Sequence, residues 1–416
     1  MNRSNGLVIL NARQIVTLSG PQAFRRGANL SDVGARANWA MVCRGGLLEW
    51  TGPASGVGAM IQPGDEIVDA SNCSVLPGFV DAHTHPVYGG DRLDEFSLRA
   101  SGASYQEIAA AGGGILSTVS KTRAASEQQL IDCGIRHAEL FLRNGTTTIE
   151  AKSGYGLNPE TEIRLLGAIK RVGESTGLRV LPTYLGAHAI PAEFAGNRQG
   201  YMDTVLATLD TAADQRLALW SDIFVESGYF DAEDARRLAH RAKSHDLGLR
   251  MHVDQFGNSG GARLAAELAA ASADHLEYTD IDGISALAKA GVTPVLLPAS
   301  VYCLGLQKYP LARTMVDHGL PIVVATDFNP GSSPTLSMPF VMSLCCTQMR
   351  LSPEEALTAS TINPAYLLGL GDKIGSLEAG KVADFTLWQC NDWREIIYHV
   401  GSTRPSQVFC GGKAIS

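Results

Sequence analysis

The feature that most constrains this chain is a rhythm through its middle. Short β-branched runs alternate there with longer segments of helical period. Strand-like runs fall at 79–85 (FVDAHTH), 147–152 (TTIEAK), 179–188 (RVLPTYLGAH), 220–226 (WSDIFVE), 249–253 (LRMHV), 273–277 (ADHLE), 292–298 (VTPVLLP) and 321–326 (PIVVAT). Helical patterns fill the gaps, as at 126–145, 159–177 and 232–248, and each of these three closes on a glycine, as a helix C-terminus should. Strands separated by helices point to a parallel sheet. Their number favours a closed (β/α)8 barrel over a doubly wound open sheet. Residues 1–77 and 366–416 are short β-like runs broken by turns, and neither segment is long enough to bury a core well alone. The economical reading is one small composite β-sandwich domain built from both chain ends, attached to a barrel over 78–365.

Composition narrows the class of partner. With 45% hydrophobic and 18% charged residues, the chain is ordinary for a soluble globular protein. A net charge of −8 without a basic patch argues against nucleic acid. No apolar segment has the length of a signal peptide or membrane span, and the eight cysteines are scattered with no CxxC pair. The expectation is a cytoplasmic protein with reduced thiols.

In a barrel, functional residues gather at the C-terminal ends of the strands. The first run ends in His83 and His85, the second leads to Lys152 and Tyr155, and the third ends at His188. The later runs carry Glu226, then His252 with Gln255 behind it, then His275, and last Asp327. Only the seventh lacks such a group. The remaining histidines (137, 240, 245, 318 and 399) fall in helix-like or tail segments and read as solvated surface.

In a strand, residues i and i+2 point the same way, so His83 and His85 face one point. That suits a site for a borderline metal ion. One such pair is a weak signal. Joined by His252 and Asp327 at other strand ends, it becomes a three-histidine, one-aspartate metal set with a position left open for water. Alone, Asp327 reads equally well as a turn or capping residue before Asn329-Pro330.

PGFVDAHTHP (77–86), the third histidine on the fifth strand and the aspartate after the eighth resemble the amidohydrolase superfamily. IGSLEAGKVADFTLW (374–388) is similar to the segment that returns such chains to their β-sandwich. GDR (90–92), GASYQEIAAAGGGI (102–115), KSGYGL (152–157), HVDQFGNSGGA (252–262) and DFNPGSSPTLSMP (327–339) together resemble one single-metal branch of that superfamily. The resemblance runs nearly the whole length. It implies hydrolysis of the ring C–N bond of 4-imidazolone-5-propanoate to N-formimidoyl-L-glutamate by a metal-activated water. The implied cofactor is one ion per subunit, Zn2+ or iron (Fe3+ or Fe2+). The implied assembly is a homodimer with no nucleic-acid or membrane partner.

On that resemblance the residues take roles. Asp327, a ligand with a spare oxygen, accepts the water's proton and passes it to the departing ring nitrogen. His275 orients the water or polarises the carbonyl. Gln255 cannot titrate, so it hydrogen-bonds the ring; this argues against a deaminase, in which a glutamate three residues after this histidine shuttles protons. Arg92 offers the fork that a propanoate carboxylate needs. Tyr155, His188, Asn329, Gly331 and Ser332 complete the substrate-binding candidates, with Tyr105 a weaker one. Lys152 and Glu226 read as an ion pair between neighbouring strands, ahead of a second metal bridged by them. A non-catalytic binding protein of this fold would be expected to have lost a ligand, and all four are present.

Overall fold

The computed structural model describes residues 6–103, 107 and 112–415, and Tyr105 lies outside them. Eight strands form a parallel sheet in chain order: β1 (Phe79–Thr84), β2 (Thr146–Lys152), β3 (Arg179–Ala187), β4 (Trp220–Val225), β5 (Gly248–Val253), β6 (Ser272–His275), β7 (Thr293–Leu296) and β8 (Val323–Val324). The sheet closes where the segment after β8 meets the end of β1. Thr84 bridges Phe328 in parallel. The Asp327 N–H donates to the His83 carbonyl at 3.1 Å, and the His85 N–H donates to the Phe328 carbonyl at 2.8 Å. This is the (β/α)8 barrel that the alternation predicts.

β8 is much shorter than its apolar run. Pro321 has no N–H to give to a ladder, and Asp327 leaves extended geometry with φ +52°. The helices start as their sequences dictate. Glu127–Arg143 opens with a capping box between Ser126 and Gln129, Pro159–Ser175 with Asn158 and a proline, and Ala232–Ser244 with a box between Asp231 and Asp234. The helix-end glycines correct the reading above. Only Gly145 takes a left-handed turn, at φ +88°. Gly248 is already in β5, and Asp246 makes the turn before it at φ +56°.

Both chain ends feed the remaining sheets. One has four strands, Leu47–Pro53, Trp39–Arg44, Leu7–Leu10 and Glu66–Asp69. The other has six and places the C-terminal Lys413–Ile415, Gln407–Cys410 and Phe385–Trp388 beside the N-terminal Ser74–Pro77, Gln14–Val16 and Ala35–Arg36. Ile9, Ile15, Met41, Val75, Phe385 and Phe409 share one buried cluster, so apolar faces from both ends pack together. This unit holds the start of β1. The Gly78 N–H donates to the Asp384 carbonyl at 3.0 Å, Arg179 at the start of β3 pairs with Asp384 at 2.7 Å, and Phe79 packs on Trp388.

Phe385 is fully buried and stacks on Phe409 with ring centroids 4.4 Å apart. Phe385→Ala is expected to cost about 3–5 kcal/mol. A urea midpoint unchanged from the parent would contradict this packing.

Candidate active site

The closing hydrogen bonds bring Asp327 beside the two histidines of β1. His83 Nε2 lies 3.4 Å from His85 Nε2 and 3.5 Å from Asp327 Oδ1, and His85 Nε2 lies 3.6 Å from the same oxygen. His252 on β5 approaches His83 edge-on, with ring centroids 4.5 Å apart. One ligand atom each from His83, His85 and Asp327 falls within 4.8 Å of the others, as does one each from His83, His252 and His275. All five side chains are buried.

This cluster fits a cation. An ionised carboxylate can only accept, so His83 donates through Nδ1 to Asp274 at 2.6 Å and keeps a lone pair on Nε2. That lone pair faces a carboxylate oxygen, Asp327 Oδ1, and a positive ion relieves two acceptors so placed. The 3.4–3.6 Å spacing also matches neighbouring ligands of a tetrahedral ion, which sit about 3.3 Å apart when each is roughly 2.0–2.1 Å from the metal. Burial pushes His83 and His85 well below the ordinary histidine range, leaving both neutral, as ligation requires. Burial raises Asp327 above the usual carboxylate range, against the pull of His275 and His252.

Beneath the histidines lies a layer that reading strand ends missed. Asp274 Oδ2 takes Arg250 Nη2 at 3.1 Å as well as His83. Asp222 Oδ1 takes His252 Nδ1 at 3.0 Å, while its Oδ2 takes Lys152 at 2.7 Å. Lys152 also donates to Glu150 at 2.8 Å. The expected Lys152–Glu226 pair is therefore absent. Lys152 points down among carboxylates inside the barrel, whereas Glu226 accepts the backbone N–H groups of Ser227, after β4, and of Phe256, after β5. The missed signal was a charged residue inside each apolar run, two before His252 and one before His275.

Above the cluster, a cavity is lined by Arg92, Tyr155, His188, Gln255, Asn329 and Ser332, with His275 at its floor. His188 donates through Nδ1 to the Gly154 carbonyl at 3.0 Å, so its Nε2 is an acceptor. Burial lowers its pKa to about 3. Glu162, also missed, gathers the N–H groups of Gly154, Gly156 and Leu157 at 2.7–3.0 Å and thereby sets the Tyr155 loop. Asp254 does the same behind Gln255, accepting from Ser259, Gly261, Ala262 and Thr279. His275 and Leu276 both sit at positive φ, +82° and +70°, a strain that turns His275 towards the cluster, where Glu277 accepts from its Nδ1 at 3.3 Å. Burial opposes the charge on His275, yet Glu277, Asp327 and Asp274 together raise its pKa.

Gly331 does not line this cavity. Its N–H and that of Ser332 donate to Asn329 Oδ1, whose Nδ2 donates to the Asp327 carbonyl, so the Asn329 amide folds its own loop. Gly331 matters for what it lacks: a methyl there would lie 2.3 Å from Arg92 Nη1. Arg92 is otherwise held by Thr118, at 2.8 Å from Nε, and by Glu95 at 3.8 Å. His137 corrects the surface reading: it donates to the Pro86 carbonyl at 2.7 Å and stacks on Tyr88 under the first loop.

A parallel barrel carrying buried histidines and an aspartate at its C-terminal mouth defines a barrel metallohydrolase. The chain belongs to the amidohydrolase family, whose model matches residues 74–415. It is 48% identical over 408 residues to the imidazolonepropionase of Solibacter usitatus, covering 98% of each chain. It is 40% identical over 413 residues to that of Symbiobacterium thermophilum, covering 98% of this chain and 97% of the other. Within the family it therefore stands among the imidazolonepropionases. Among solved structures, a zinc-bound adenosine deaminase from Xanthomonas campestris superposes with a TM-score of 0.71 at 19% identity, over 98% of this chain and 92% of that one. Guanine deaminase of E. coli gives 0.73 at 14% identity, over 99% of each chain. At such identities these two show the shared fold.

Gly331→Ala is expected to push the Arg92 guanidinium away by roughly 1 Å, the shortfall from ordinary contact at about 3.5 Å. A crystal structure of the variant with Arg92 unmoved would contradict the close approach.

Proposed function

We propose that this chain hydrolyses the ring C–N bond of 4-imidazolone-5-propanoate to N-formimidoyl-L-glutamate, the third step of histidine degradation. The relatives' shared name supports the reaction. The observation that carries it is one cavity with a guanidinium, Arg92, on its wall and the histidine–aspartate cluster at its floor. A carboxylate-bearing ring suits that pairing. A deaminase of an uncharged ring has no use for Arg92, and Gln255 cannot serve as its proton shuttle.

His83, His85, His252 and Asp327 are the proposed ligands of one Zn2+ or iron ion. Bound there, the ion supplies Lewis acidity that polarises the ring carbonyl and makes water acidic near neutral pH. Arg92 grips the propanoate and fixes the ring's register. His188, with its Nε2 lone pair, accepts from a ring N–H, while Tyr155 packs at the ring's side. Asn329 and Ser332 wall the far end. Gln255 hydrogen-bonds the ring without exchanging protons. Water's oxygen bonds to the carbonyl carbon and Asp327 takes the proton released. His275, held by its hydrogen bond to Glu277, stabilises the developing oxyanion. When the carbon–nitrogen bond breaks, Asp327 delivers its proton to the departing nitrogen, which closes the proton balance. A homodimer is the proposed assembly and the cytoplasm the proposed location.

Arg92→Ala is expected to raise KM at least tenfold, the loss of a charge-assisted fork of about 1.5–3 kcal/mol, with a much smaller change in kcat. Asp327→Ala should abolish formation of N-formimidoyl-L-glutamate. Small and equal effects from the two would overturn the roles. A metal-loaded parent enzyme that leaves 4-imidazolone-5-propanoate intact would overturn the reaction itself.

A further inference from the structure

Five charged side chains form a plate under the site: Glu150 and Lys152 from β2, Asp222 from β4, Arg250 from β5 and Asp274 from β6. None is more than 1% exposed. Ion pairs so deeply buried gain little over apolar side chains of equal volume, so stability alone does not account for them. Their placement does. The plate makes two relays, and each ends on a different histidine of the cluster. Lys152 Nζ holds Asp222 Oδ2 at 2.7 Å, and the other Asp222 oxygen accepts from His252 Nδ1 at 3.0 Å. Arg250 Nη2 holds Asp274 Oδ2 at 3.1 Å, and that oxygen accepts from His83 Nδ1 at 2.6 Å. Arg250 is itself fixed by the Ala82 carbonyl at 2.8 Å, one residue before His83.

We propose that Lys152 and Arg250 are positioning residues: through Asp222 and Asp274 they set the tautomer and ring direction of His252 and His83, so that both Nε2 lone pairs face the ligand centre. This rests on the reading of those histidines as metal ligands. A carboxylate anchored on one side by a cation has a fixed position in which to accept Nδ1–H. Without the anchor, the imidazole is free to turn about its side chain, and the lone pair leaves the centre. The remaining carboxylate, Glu150, takes the second hydrogen of Lys152 and keeps the ammonium between the strands. Three carboxylates against two cations also leave the plate negative beneath the position of a divalent ion.

Lys152→Met tests the proposal, and the charge-balanced Glu150→Gln/Lys152→Met is measured beside it because the single change strands buried carboxylates. Neither residue touches the cavity. Metal-free proteins are titrated with Zn2+ against a competing chelator, and thermal unfolding is recorded on the same samples. The expected result is a folded protein whose zinc Kd is weaker by roughly 10–100-fold. A plate that serves only as core lowers the thermal midpoint and leaves the zinc Kd within twofold, and that result overturns the proposal. Should neither variant fold, Arg250→Lys decides in the same assay, since it keeps the charge and loses the Nη2 that serves both Ala82 and Asp274. His252→Ala separates the two readings. If it leaves zinc affinity unchanged, the ligand assignment fails; if it abolishes binding while the plate variants leave the zinc Kd within twofold, the positioning role alone fails.

Discussion

Two backbone hydrogen bonds join the first and last strands, from the Asp327 N–H to the His83 carbonyl and from the His85 N–H to the Phe328 carbonyl. They close the barrel, and in the same stroke they fix where three of the four proposed ligands stand. A ring of strands gives no freedom to slide one end past the other, so the register of closure sets the spacing of His83, His85 and Asp327 to within tenths of an ångström. β8 keeps only two residues of regular strand because the chain must turn at Asp327 to make this seam. The cost is a non-glycine residue in the left-handed region, of about 1–3 kcal/mol, and it is carried at the proposed fourth ligand.

Below the seam, the same barrel tolerates five buried charged groups because each has a partner of opposite sign. Above it, three carboxylates order the loops. Glu162 holds the Tyr155 loop, Asp254 the Gln255 loop, and Glu95 stands behind Arg92 while accepting the Gly114 N–H. Each collects backbone N–H groups or a guanidinium that would otherwise be unpaired in a buried place. The loops that wall the cavity are thus tied down by buried hydrogen bonds. Gly331 adds a steric condition, since only a residue without a side chain lets the guanidinium of Arg92 lie where it does.

Much of this was legible in the sequence, and the part that was not has a common cause. The barrel followed from alternation, and the convergence of His83, His85, His252 and Asp327 followed from strand period and strand ends. Contacts that depend on which faces meet across the barrel did not follow. Lys152 and Glu226 read as an ion pair between neighbouring strands, yet Lys152 turns inward to Glu150 and Asp222. Gly331 stands among the substrate-binding candidates, yet the Asx turn of Asn329 takes its N–H. His137 looked like helix surface until the first loop folded over it. Pairings between elements distant in sequence need a register, and no motif supplies one.

The central claim is that one cluster of three histidines and an aspartate holds a single ion and that hydrolysis depends on it. Metal-free protein titrated with Zn2+, with formation of N-formimidoyl-L-glutamate followed at each addition, tests this most directly. The account predicts activity rising linearly to a break at one equivalent per chain. Full activity before any metal is added, or a break at two equivalents, would contradict it.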